Sequence, residues 1–156
     1  MINRILFFTV FTCVTSFSIF AQDENSIKKK HTNVEEGIAL QGYDAVAYFL
    51  QNKAVKGKKE FWVVDAGITY LFSTMNNRET FKKLPNQYAP EYGGWCAYAM
   101  GAKGEKVEID PGTFKIINNK LYLFYNKFFN NTLKDWNKDE TNLKNKGDEN
   151  WKKLTH

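Results

Sequence analysis

From Ile38 onward the chain breaks into short apolar runs divided by turn-forming residues, and each run predicts an element. Ala45 to Leu50 is continuously apolar and is read as a buried strand, with Gly57 marking the turn after it. Phe61 to Val64 and Ile68 to Phe72 are rich in β-branched and aromatic residues. With Asp65-Ala66-Gly67 between them they predict an antiparallel hairpin. Ser73 or Thr74 then caps a helix that runs to Leu84, with Phe81 and Leu84 as its buried stripe beside Met75, and Pro85 ends it. Asn86 to Tyr92 reads as a short helix or turn, and Trp95 to Met100 is apolar before the polar loop Gly101 to Gly112.

A second hairpin joins Phe114–Ile117 to Lys120–Tyr125 through Asn118-Asn119, a pair that tolerates positive φ. Beyond it Phe128, Phe129, Leu133 and Trp136 recur at helical spacing, and Leu143, Trp151 and Leu154 place a last helix against the body. The sum is an α+β fold, a small single domain of antiparallel hairpins packed against short helices. A length of 156 residues allows one such domain, and an aromatic content of 16% lets it bury substantial area.

The two ends of the pattern differ from the middle. Residues 1–21 combine a positive start at Arg4, an apolar run from Ile5 to Phe20 and a terminal small residue, Ala21. These are the marks of a secretory signal peptide, too short for a membrane span. Cleavage there predicts an exported protein, periplasmic or secreted, with no transmembrane segment left. Residues 22–36 are polar without hydrophobic period and are expected to be a flexible leader, so that the domain proper covers residues 37–154.

Charge and thiols then narrow the chemistry. The formal net charge of +5 is spread over scattered lysines with no regular aromatic interleaving, which argues against nucleic acid as a partner. Cys13 falls in the discarded segment, so Cys96 is the single thiol of the exported chain and has no intramolecular partner. Such a cysteine is a reactive thiol, a metal ligand or part of an intermolecular pair, unless it is simply a buried space-filler. Its surroundings, Tyr92-Gly93-Gly94-Trp95-Cys96, put it just after a glycine turn, where backbone N–H groups favour a thiolate. There is no Gly-x-Ser-x-Gly elbow, phosphate loop or Cys-x-x-Cys, and no histidine within the domain to act as base to a Cys nucleophile.

Several segments together resemble the exported YHS-domain family. They are Gly42-Tyr43-Asp44-Ala45-Val46-Ala47-Tyr48-Phe49, Phe72 to Phe81, and Pro85 to Ala99 with its Gly-Gly-aromatic-Cys ending. Asp110-Pro111 with Asn119 to Leu123, and Asp148 to Trp151, extend the likeness over Gly37 to Leu154. The chain departs from the family at Ala45, where proline is usual, and in lacking the Tyr-His-Ser signature. Its histidines are His31 and His156, at the ends. The resemblance implies metal handling, and in some relatives selenocysteine occupies the position of Cys96. Both redox and soft-metal chemistry use a deprotonated, polarisable chalcogen.

The expected site is therefore built on Cys96. Without imidazole the other ligand candidates are Met100, Met75 and the carboxylates Asp44, Glu91 and Asp110. A thiolate with a thioether suits Cu(I) or another soft ion, and Cys96 and Met100 share a face if that segment is helical. Asp44 either orients Cys96 or a ligand, or caps its own backbone as a turn residue. The expected function is a small binding module for a soft metal ion held by Cys96, with Met100 and Asp44 as further ligands. The alternatives are a thiol-dependent redox protein, with Cys96 oxidised to sulfenic acid, and a small-molecule-binding module with a structural Cys. The partner is thus a metal ion or a small molecule, and the expected state is a monomer or weak dimer.

Overall fold

The computed structural model describes residues 24–156, and the stretch expected to be a flexible leader is an ordered part of it from residue 24 on. Residues 24–31 form a helix, α1, and the segment after it is buried at His31, Thr32 and Asn33. Backbone polar groups do the docking. The Trp95 indole N–H donates to the His31 carbonyl at 2.8 Å, and the Asn33 N–H donates to the Gly93 carbonyl at 2.8 Å. Polar sequence hid this contact because no apolar stripe is needed for it. The expected signal sequence, residues 1–21, lies outside the described residues.

Two short strands follow, β1 (Val34–Glu35) and β2 (Ile38–Ala39). Next comes the run that was expected to be a strand, and it is a helix, α2 (Ala45–Gln51). Asp44 decides it. Its carboxylate accepts the N–H groups of Val46 and Ala47 at 2.9 and 3.2 Å, satisfying donors that a helix start leaves open. The run reads as continuous rather than periodic because Ala45, Val46, Ala47 and Tyr48 are all buried.

The first expected hairpin is present as β3 (Lys58–Asp65) and β4 (Ile68–Phe72), joined by Ala66-Gly67. The four strands order β1-β2-β4-β3, antiparallel except for the parallel β2–β4 pair. Thr74 caps α3 (Met75–Lys83) by accepting the Asn77 N–H at 3.1 Å. Phe81 is buried as expected. Leu84, the other half of the expected stripe, is instead the exposed residue between α3 and α4 (Pro85–Tyr88).

A 3-10 turn at Glu91–Gly94 leads into α5 (Ala97–Lys103), which continues into what was expected to be loop. The second hairpin is β5 (Asp110–Ile117) and β6 (Lys120–Phe124), with Asn118 and Asn119 both at positive φ. Phe128 and Phe129 are not helical. They form the tip of a miniature hairpin, β7 (Asn126–Lys127) and β8 (Asn130–Asn131), and helix begins only at α6 (Thr132–Trp136). The long α7 (Glu140–Thr155) closes the chain.

Two packed clusters result. One gathers Val46, Tyr48, Tyr70, Phe72, Phe81, Ile109, Leu121 and Cys96 between the sheet, α2 and α3. The other gathers Tyr92, Ala97, Met100, Tyr122, Phe124, Trp136 and Leu143 beneath α5, α6 and α7. The α5–α7 seam is tight because Gly101 has no side chain. A Cβ there would lie 2.3 Å from the Leu143 carbonyl oxygen. No helix among the described residues is long and apolar enough to cross a membrane.

Candidate functional site

At the Asp44 niche and the Cys96 pocket, candidate site residues are drawn into the core. Asp44 is wholly buried. Besides the two α2 amides, it accepts the Ser73 N–H at 2.8 Å, the Ser73 hydroxyl at 2.6 Å and the Asn77 side-chain amide at 2.7 Å. Five donors occupy one carboxylate, about as many as its lone pairs accept. The residue thus ties α2 to the end of β4 and the first turn of α3. Its capping role, one of the two weighed from sequence, is present in the geometry.

Cys96 sits between the glycine turn and α5, also with no exposed surface. Its N–H donates to the Val107 carbonyl at 2.9 Å, and its own carbonyl accepts the Met100 N–H at 3.0 Å. The thiol has two polar neighbours. The Tyr125 backbone N–H donates to Sγ at 3.3 Å, and the Thr132 hydroxyl lies 3.4 Å from it. Thr132 also donates to the Tyr125 carbonyl at 3.0 Å, so the free hydroxyl lone pairs accept the S–H.

Above the sulfur opens a pocket of about 250 Å³. Cys96, Tyr98, Ala99, Ala102, Val107 and Tyr125 make it mainly apolar, and Lys103, Glu105, Asn130 and Thr132 add polar groups. This size lies near the lower end of ordinary small-molecule sites, roughly 300–1,000 Å³. A second pocket, of about 200 Å³, lies between α1, the glycine turn and Trp151.

The expected ligands are not gathered around Cys96. Met100 is one turn further on, buried in the other cluster with Trp136 and Phe124, and Met75 is exposed. Asp44 is engaged by its five donors. Glu91 pairs with Lys120, and Asp110 accepts from Gly112 N–H and the Thr113 hydroxyl. Among the described residues no three His, Cys, Asp or Glu side chains stand together as a metal site. The contacts at Sγ, one hydroxyl oxygen and one backbone N–H, are those of a hydrogen-bonded thiol.

Buried phenols line both clusters, and burial pushes each above the ordinary tyrosine value. Tyr48 and Tyr70 are so raised in the first cluster, Tyr92 and Tyr122 in the second. At Tyr92 a hydrogen bond donated to Asp148 at 2.8 Å adds to the effect. Sequence reasoning missed Tyr125 and Thr132 as neighbours of Cys96. Those two reach Cys96 through backbone and hydroxyl groups that leave no spacing signal.

Fold and site together define a small α+β domain with a closed thiol at the base of a pocket. No protein-family model matches the chain, and no curated protein or solved structure matches it.

Proposed function

We propose that the chain is an exported YHS-type binding module that holds a small, largely apolar organic molecule in the pocket over Cys96. The observation that carries this reading is the pocket itself: an open-mouthed, mostly apolar space with polar groups at a few points, a build that suits a small molecule. Cys96 forms one wall, held by Tyr125 and Thr132. The segments from Gly42 to Trp151 that resemble the exported family support the assignment to that class, and residues 1–21 support export.

A soft-metal role through Cys96 is the less favoured reading, because Met100 and Asp44 are committed elsewhere. A thiol-redox role draws support only from the Tyr125 N–H that reaches Sγ at 3.3 Å.

The test is binding of an apolar fluorescent probe, anilinonaphthalene sulfonate, to the native chain. Ala102 is exposed and lines the pocket, so Ala102→Phe fills the space without disturbing the core. The reading expects saturable probe binding that Ala102→Phe weakens by about tenfold or more, a loss of about 1.4 kcal/mol. Stoichiometric Cu(I) binding that disappears in Cys96→Ser would overturn it in favour of the metal module. Rapid alkylation of the native thiol with no probe binding would overturn it in favour of redox chemistry.

A further inference from the structure

Among the described residues four hairpins close through two-residue loops with both residues at positive φ, and they differ in what fills those loops. Glu36-Gly37 and Ala66-Gly67 place glycine second and Asn118-Asn119 is asparagine throughout, so each holds at least one residue that adopts this conformation at little cost. The fourth uses Phe128-Phe129, at φ 52° and 66°. Bulky residues are disfavoured there, so backbone geometry does not explain their presence. Packing does not explain it either: Phe128 is 90% exposed and Phe129 111% exposed, the two most exposed large apolar side chains among the described residues.

We propose that this tip is a membrane-contact device, with Phe128 and Phe129 entering the interfacial layer of an anionic lipid bilayer. Charge around the tip supports that occupant. Between Asn126 and Lys134 the chain carries Lys127 and Lys134 and no acidic residue. Both lysines are exposed, and neither is among the ion pairs of the described residues. The nearest carboxylate in sequence, Asp135, is paired with Lys138 at 2.6 Å.

Shape favours lipid over a protein partner. Two side chains on a projecting turn supply far less than the roughly 1,000 Å² that a specific protein interface needs. A bilayer requires no matching surface, and aromatic rings settle at its interface while nearby lysines meet its headgroups. The hairpin base is fixed to the domain, since the Thr132 N–H and hydroxyl both donate to the Tyr125 carbonyl at 3.0 Å. The rings are thus held out by a braced turn.

The test uses the full chain with phosphatidylcholine vesicles, with and without about one third phosphatidylserine, and reads the tip directly. In Phe129→Trp the added indole is expected to shift to the blue on anionic vesicles. Lipids brominated on their acyl chains should quench it beyond the quenching of the four native tryptophans. The double variant Phe128→Asn/Phe129→Gly installs a relaxed turn. It is expected to melt no lower than the parent while its partition to anionic vesicles falls at least about tenfold. Lys127→Gln is expected to weaken partition about fivefold, and added salt should mimic that change.

Absence of excess quenching in Phe129→Trp overturns the proposal, whatever the rest of the chain does on vesicles. So does a dimer in solution that Phe128→Asn/Phe129→Gly converts to monomer, because the tip is then a contact between copies of this chain.

Discussion

Asp44 and Cys96 are both buried to the same degree, yet they are opposite kinds of site. Around Asp44 every lone pair meets a donor from α2, β4 or α3, and there is no pocket beside it among those described. Around Cys96 two weak contacts hold the sulfur, and a pocket begins at its other side. Saturation marks a group kept for folding. A lightly held thiol beside open space leaves room for a ligand, as the proposed function requires. Burial alone does not separate the two; the count of partners and the adjoining volume do.

Breaking the saturated side should have the largest effect. Asp44→Ala strands five donors, all of them buried, from α2, Ser73 and α3. It is expected to cost about 4 kcal/mol in denaturant unfolding. A cost under about 1 kcal/mol would mean that the niche is not the organiser described here. Asp44→Asn keeps the size but turns a donor toward donors, and should recover only part of the loss.

The Cys96 side should be softer. Cys96→Ala removes two weak contacts and a small volume, and about 1–2 kcal/mol is the expected loss. Thr132→Val deprives the thiol of its acceptor while keeping the shape, and should speed alkylation of Cys96 in the native state. An unchanged alkylation rate would show that Thr132 plays no part in closing the thiol.

The phenols and His31 make the comparison sensitive to pH. Tyr48, Tyr70, Tyr92 and Tyr122 all resist ionisation when folded. A folded value above the unfolded one means stability is intact below about pH 10, the unfolded tyrosine value, and falls as pH rises beyond it. Tyrosinate absorbance should therefore appear together with unfolding, in both clusters at once. The smallest effect is at His31, whose value is lowered by burial, then by Lys106 and Lys30. The folded state binds that proton less readily, so stability is unaffected above about pH 6.5 and declines slightly as pH falls below it. His31→Gln should flatten that decline.

What the sequence revealed followed from how local each signal is. The hairpins around Ala66-Gly67 and Asn118-Asn119 were legible because two-residue turns announce themselves by residue type. The helix α2 was not, because an apolar run buried on every side carries no period. The decisive signal was Asp44 just before it, read as a turn residue or a ligand instead of a helix cap. Phe128 and Phe129 were assigned to a helix because their spacing from Leu133 and Trp136 fits one. Aromatics displayed to solvent obey no core period, so the pattern misled. For the site, the sequence left Cys96 open between a reactive thiol, a ligand and a buried space-filler, and the structure shows it buried beside the glycine turn. Its real neighbours, Tyr125 and Thr132, were hidden, since hydrogen bonds to a backbone amide leave no trace in composition. Met100 does not join Cys96 on a shared face: Cys96 packs in the first cluster and Met100 beside Trp136 in the second.

The glycine turn before Cys96 also ties two distant helices together. At Gly93 the end of α1 and α7 converge: a side chain there would lie 2.7 Å from the His31 carbonyl oxygen and 3.0 Å from the Trp151 ring. His31 and Trp151 also stack edge to face, with ring centroids 6.0 Å apart. The turn is thus a clasp with no room for a side chain, and a change in α7 at Trp151 reaches the backbone that leads into Cys96.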